Sequence, residues 1–153
     1  MKKVYLSDAG PKVSPAIYGF WRWEKDDKKM DEIVHFCLDK GINTFDHSDR
    51  YGEYTAEKTF GELLAKKSIQ RSDIVLFSKC GVNIPSAARP DIRVAHVNTS
   101  AAHITASVEN SLRNLQTDYL DVFLLDQLDP LSDIETTALA LEKLKSSGKV
   151  KNI

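Results

Sequence analysis

The chain has 153 residues, 42% of them hydrophobic and 28% charged, with 21 basic against 22 acidic side chains. That is enough chain for a real core, and so even a charge balance gives neither nucleic acid nor an anionic membrane a field to follow. No apolar run approaches the roughly 20 residues of a membrane span, Met1–Asp8 lacks a signal-type apolar core, and Cys37 and Cys80 form no Cys-x-x-Cys, so the cytoplasm is the expected location.

Lys3–Leu6 and Lys12–Val13 flank the turn-forming Asp8-Ala9-Gly10-Pro11 and predict a short hairpin. Ala16–Trp21, apolar and aromatic, predicts a buried strand. Trp21 and Trp23 at its exit serve either as core and rim packing or as the apolar wall of a ligand site. Asp26 or Asp27 then caps a helix that runs to Lys40, with Ile33, Val34, Phe36, Cys37 and Leu38 as its apolar face and Gly41 as its stop.

Asn43–Asp46 alternates like a strand, and Tyr51-Gly52 breaks the chain after it. A helix follows over 56–67, with Phe60, Leu63 and Leu64 facing inward. Asp73–Cys80 predicts a second clear strand, with Val75, Phe77 and Lys79 on one face and Ile74, Leu76, Ser78 and Cys80 on the other. A lysine ending an apolar face needs a partner, and Asp46 at the end of the previous strand is the obvious one.

Gly81–Asn98 lacks periodicity and reads as a long loop, a feature often tied to function. Ser100 caps a helix carrying Ile104, Val108, Leu112 and Leu115. Tyr119–Asp126 is a third apolar strand, with Leu120, Val122 and Leu124 on the face of Asp126. Ser132-Asp133-Ile134-Glu135 reads as a capping box for a helix that reaches Ser147 and stops at Gly148. Lys149–Ile153 looks like the start of another strand.

The order is one domain over 1–153: a hairpin over 3–13, four βα units over 16–148, and the start of a fifth strand over 149–153. Strands alternating with amphipathic helices imply right-handed crossovers and a parallel α/β sheet, open or closed into a barrel. No Gly-x-Gly-x-x-Gly, Walker, Gly-x-Ser-x-Gly or metal-ligand spacing occurs, so no metal is expected.

The run Gly41-Ile42-Asn43-Thr44-Phe45-Asp46-His47-Ser48-Asp49-Arg50-Tyr51-Gly52, with Glu57 and Gly61, resembles the signature of the aldo-keto reductase superfamily. The likeness continues through Ser78-Lys79-Cys80-Gly81, Ser111-Leu112, Asp118–Asp121 and Ser147–Val150. It implies the N-terminal half of a (β/α)8 TIM barrel, closed below by the hairpin and active at the C-terminal mouth. The implied reaction is hydride transfer from NADP(H) to a small aldehyde or ketone.

Carried over by resemblance, Tyr51 is the proton donor to the carbonyl oxygen, Lys79 sits against its phenol, and Asp46 pairs with Lys79. The assignment is chemically sound, because a free phenol with a pKa near ~10 is a sluggish acid and an adjacent ammonium stabilises the phenolate. Gly19, Phe20 and Trp21 would line the nicotinamide and substrate side.

Two departures stand out. Asp126 occupies the position of the family's catalytic histidine, and the following Gln127-Leu128-Asp129-Pro130 keeps only the Asp-Pro of the expected run. A full barrel takes about 250 residues, so most of the cofactor site is expected to fall outside this chain. An ionised aspartate only accepts hydrogen bonds, whereas a protonated one could donate. If Asp126 is a lesion, Asp126→His in a completed barrel should raise carbonyl reduction. The expectation is therefore a reductase, truncated and inactive alone. The alternative is a non-catalytic half-barrel or interaction module with a decayed site, and exposed barrel edges would favour self-association in either case.

Overall fold

The computed structural model describes residues 1–23, 26–127 and 129–153, without the Asp27 side chain. Leu128, one of the residues that depart from the family run, lies outside the described residues.

The first hairpin pairs β1 (Val4–Tyr5) with β2 (Lys12–Val13) antiparallel. The first parallel strand, β3 (Tyr18–Gly19), is shorter than the apolar run predicts. It leads to α1 (Asp27–Asp39), where the Asp26 side chain accepts from the Lys29 amide and so settles the choice of cap. Met30, Val34 and Cys37 bury the inner face of α1. Phe36, predicted to be inside, is 61% exposed beneath the Lys40 ammonium, because its position turns it away from the sheet.

β4 (Thr44–Asp46) follows, then the short α2 (Tyr51–Tyr54) and α3 (Ala56–Ala65). A 3-10 turn at Arg71–Asp73 precedes β5 (Val75–Cys80). The stretch read as a loop holds a second small antiparallel hairpin, β6 (Val82–Asn83) with β7 (His96–Val97). Strands of two residues are too short to show a period, so this pairing left no mark in the sequence.

α4 (Ala101–Leu115) begins at Ser100, whose Oγ accepts from the His103 amide. It packs so tightly on α3 that a Cβ on Gly61 would lie 1.9 Å from the Asn114 carbonyl oxygen. After β8 (Leu120–Leu125), α5 (Ile134–Ser146) is capped by Asp133, which accepts from the Glu135 and Thr136 amides. The capping box on Ser132 is thus replaced by a cap one residue later. The chain then enters β9 (Val150–Asn152).

The main sheet has five strands, all parallel, in the order β3-β4-β5-β8-β9. Each strand lies beside the one before it, with no reversal of direction across the sheet. A doubly wound sheet needs such a reversal to create its crevice, whereas sequential order is that of a barrel wall. The molecule is therefore half of a parallel barrel.

The larger core fills the space between the sheet and its outer helices, with Phe20, Phe45, Leu76, Phe123 and Ile104 at its centre. On the other face of the sheet Val75, Phe77 and Val122 meet Val13 of the hairpin. The hairpin is fastened below the sheet by Ser14, whose amide donates to Thr44 Oγ1 at 3.0 Å and whose Oγ accepts from the Asn43 amide at 3.2 Å. Leu120, expected on the same face as Val122, instead belongs to the larger core.

The lower end of the sheet is tied by Arg71. It donates to Asp121 Oδ2 at 2.7 Å, to the Tyr119 carbonyl at 2.9 Å and to Thr117 Oγ1 at 2.9 Å. No helix among the described residues is long and apolar enough to cross a membrane.

Candidate functional site

The strand ends at the upper rim carry the residues expected to form the site, and backbone bonds continue the ladder there. The Phe20 amide donates to the Asp46 carbonyl at 3.0 Å and the His47 amide to the Phe77 carbonyl at 2.9 Å. The Asp49 amide reaches the Lys79 carbonyl at 3.0 Å and the Asp126 amide the Cys80 carbonyl at 2.9 Å. The loops that leave β4, β5 and β8 therefore start from one rigid edge.

Asp46 and Lys79, far apart in sequence, meet there. Lys79 Nζ donates to Asp46 Oδ1 and, at 2.9 Å, to the His47 carbonyl. The side chain of Lys79 is 11% exposed, so its charge is held away from most water and needs both acceptors. Nζ lies 5.0 Å from the centre of the Tyr51 ring, and Tyr51 is itself buried. The structure thus brings Asp46, Lys79 and Tyr51 into one cluster.

Tyr51 is aimed by a strained turn. Gly52, Glu53 and Tyr54 all have positive φ, at 58°, 54° and 70°. Only glycine adopts this region freely, and each other residue there costs about 1–2 kcal/mol. Such strain persists where the surroundings over-determine it. Here the Tyr54 hydroxyl accepts from the Ile84 amide at 2.8 Å and donates to its carbonyl at 3.1 Å, and Thr55 Oγ1 donates to the Gly52 carbonyl at 2.6 Å. The loop read as aperiodic therefore holds the turn that presents Tyr51.

Asp126 has a partner that sequence reading missed. Arg50 Nε donates to Asp126 Oδ2 at 3.0 Å, and Nη2 stands 3.0 Å from the same oxygen. The Arg50 guanidinium also lies 5.6 Å from the Tyr51 ring centre. The two residues are separated by 76 positions and belong to different βα units, so no local pattern joins them.

Of the residues expected to line the nicotinamide side, Phe20 has a buried side chain. It is 1% exposed, its ring stacked on His47 at 4.6 Å between centroids, because the Phe20 position faces the helices. Gly19 pairs with Asp46, and a Cβ on it would lie 3.5 Å from Asp46 Oδ2. Trp21 is 61% exposed, with the Arg22 guanidinium 4.1 Å from its ring centre, so it is not core. Trp23, partly buried, packs against the core and stands edge-on to Phe20.

Behind the rim lie polar groups with unusual acidities. His47 is fully buried, neither ring nitrogen has a partner among the described residues, and burial with the nearby Lys79 charge pulls its pKa down to about 3. Asp49 is pushed up to about 7, first by burial and then by Glu57, against the pull of Arg89. Burial likewise raises Glu57. Ser78 Oγ donates to Glu57 Oε1 at 2.7 Å. Ser111 and Asn114 stand near enough to offset part of that rise, although Oε2 makes no hydrogen bond of good geometry among the described residues. Among those residues no group of three or more His, Cys, Asp or Glu side chains could hold a metal ion.

The Aldo/keto reductase family model matches residues 16–153. The chain is 46% identical over 154 residues to a protein of Bacillus subtilis (strain 168) named uncharacterized oxidoreductase YcsN, covering 99% of this chain and 51% of that one. It is 40% identical over 157 residues to a 6-dehydroglucose reductase of Agrobacterium fabrum, covering 100% of this chain and 52% of that one. Among solved structures, the holo form of the aldo-keto reductase AKR11C1 from Bacillus halodurans superposes with a TM-score of 0.86 at 32% identity, over 99% of this chain and 48% of that one. The chain spans about half the length of the curated relatives it matches.

Proposed function

Because the chain belongs to the aldo/keto reductase family, we propose that it carries the catalytic half of an NADP(H)-dependent reductase of small aldehydes and ketones. The observation that carries this reading is the Lys79 ammonium held between Asp46 and the Tyr51 ring at the ends of adjacent strands. Tyr51 delivers its phenolic proton to the carbonyl oxygen. Lys79 stabilises the phenolate left behind, and Asp46 with the His47 carbonyl keeps Lys79 oriented.

The nicotinamide end of a dinucleotide fits what the rim offers. Gly19 leaves the backbone bare beside the Asp46–Lys79 pair, and Trp21 offers an exposed aromatic face next to it. These two residues would hold the ring; bound, the reduced cofactor supplies the hydride. A cytoplasmic setting is supported by Cys37 and Cys80, both buried as free thiols, the latter pushed up to about 12 chiefly by burial.

The alternative of a decayed, non-catalytic half-barrel draws on Asp126 standing in place of the family's histidine. Its pairing with Arg50 favours the enzymatic reading instead.

The test uses the complete product of the gene, assayed with NADPH and a panel of small aldehydes. Tyr51→Phe and Lys79→Met are each expected to lower the rate at least about a hundredfold with circular dichroism unchanged. A Tyr51→Phe rate equal to wild type would sink the assignment. A polypeptide of residues 1–153 alone is expected to bind NADPH more weakly than micromolar, and fluorescence titration showing tighter binding would place the whole cofactor site within these residues.

A further inference from the structure

We propose that Arg50 is the hydrogen-bond donor to the substrate carbonyl oxygen, and that Asp126 is the residue that positions it. The inference rests on the reductase reading above and assigns a role that the family's histidine position would otherwise leave empty.

The argument begins with charge. As hydride reaches the carbonyl carbon, negative charge grows on the oxygen, and donors aimed at that point contribute a large part of the rate. Asp126 Oδ2 faces two guanidinium nitrogens at 3.0 Å and is therefore engaged as an acceptor. Arg50, in contrast, has five N–H groups. Its contacts with Asp126 run through Nε and Nη2, and Nη1 makes no hydrogen bond among the described residues.

Position points the same way. Arg50 directly precedes Tyr51, and its guanidinium carbon lies 5.6 Å from the Tyr51 ring centre, nearly as close as Lys79 Nζ at 5.0 Å. An oxygen that takes the Tyr51 proton must lie beside that ring, within the neighbourhood of both cations. Arg50 is 31% exposed and Asp126 17% at their side chains, so the pair borders solvent while remaining partly shielded. A planar fork held on a carboxylate is pre-organised, and little motion remains to be frozen when substrate arrives.

The reaction balances with the reduced nicotinamide, which would give the hydride and be left oxidised, and needs no acid besides Tyr51. Hydride goes to the carbonyl carbon, the Tyr51 proton goes to the oxygen, and Arg50 keeps all its protons throughout. A pair serving only to pin two loops together would change stability and leave turnover per folded molecule untouched.

The experiment is a double-mutant cycle in the complete gene product. Arg50→Ala and Asp126→Ala are each expected to lower kcat about a hundredfold, with KM changed only a few-fold. The double variant is expected to be no worse than Arg50→Ala, because Asp126 acts through Arg50. Formate, able to sit in the vacated carboxylate position, is expected to restore part of the Asp126→Ala rate and none of the Arg50→Ala rate. Asp126→His alone strands Arg50, but combined with Arg50→Ala it supplies the family's own donor and is expected to regain at least about tenfold over Arg50→Ala, about 1.4 kcal/mol.

Unchanged kcat in Arg50→Ala, or losses that simply add, overturns the proposal. A wild-type product that reduces no carbonyl overturns the reductase reading, and Arg50 is then judged separately. Acetate, whose oxygens carry negative charge like that growing on the carbonyl oxygen as hydride arrives, is titrated into 15N-arginine-labelled protein, with the Arg50 signals identified through Arg50→Lys. A saturable shift at Arg50 supports a vacant donor; no shift rejects it.

Discussion

His47 and Asp49 flank Ser48 on one short segment, yet burial moves their acidities in opposite directions. His47 falls from 6.5 to about 3, so between those values the unfolded chain holds a proton that the folded one refuses. Its contribution to stability is present above pH 6.5 and is lost as pH falls. Asp49 rises from 3.8 to about 7, so in that window the folded chain keeps a proton that the unfolded one has released. Its contribution is present at low pH and is lost as pH rises toward 7.

The two effects oppose each other over much of the acid range, with Glu57 adding to the Asp49 side and Lys79 to the His47 side. Single variants separate them. His47→Phe keeps the ring between Phe20 and Phe60 and removes two nitrogens that have no partner among the described residues. Its stability relative to wild type is expected to grow as pH drops from 6.5. Asp49→Asn is expected to gain on wild type as pH climbs from 4 to 7. Urea unfolding at pH 4.5 and 7.5 measures both, and parallel curves for wild type and His47→Phe would mean that His47 titrates normally in the folded state.

Among the elements, the contact between α3 and α4 is the least forgiving. Gly61 faces the last turn of α4, where an added Cβ would meet the Asn114 carbonyl oxygen at 1.9 Å and the Leu115 carbonyl carbon at 2.8 Å. Both are backbone atoms, so relief requires a helix to shift. Gly61→Ala is expected to cost about 3 kcal/mol in urea unfolding, the upper end of ordinary overpacking. A loss below about 0.5 kcal/mol would show that α3 can slide outward. The same shift would disturb Glu57, one turn earlier on α3 and joined to Ser78 of β5. The variant therefore also reports how far outer packing reaches toward the rim.

At the scale of the whole molecule, β3 and β9 are the edge strands of the main sheet among the described residues. The sheet also has an inward face where Leu124 is 37% exposed above Phe77 and Val122. Ile134 and Leu139 add exposed apolar surface on α5, and Ala138, Leu141 and Ile153 line an apolar depression beside it. Unpaired edges and apolar surface together favour association. A polypeptide consisting of residues 1–153 is expected to form dimers or larger species, a second copy closing the barrel face. Light scattering across a range of concentrations tests this; a monomer at all of them would show that the inward face tolerates water.

Much of this architecture can be read locally. The alternation of Val75, Phe77 and Lys79 marks β5 and its two faces, Ser100 and Gly148 mark helix ends, and the rarity of a buried lysine points from Lys79 to Asp46. Each depends on neighbours within a few positions, or on a charge that must find its opposite. Strand order, the exposure of Phe36, the burial of His47, the β6–β7 hairpin and the Arg50–Asp126 pair depend on which surfaces meet. Arg50 was one charged residue among 21 basic ones until the sheet placed the end of β8 beside the loop from β4. Local pattern by itself determined the longer strands and helices and the Asp46–Lys79 pairing, and family resemblance added Tyr51; only tertiary structure decided the partner of Asp126, because a charge pair between distant segments exists only after the strands that carry them are aligned.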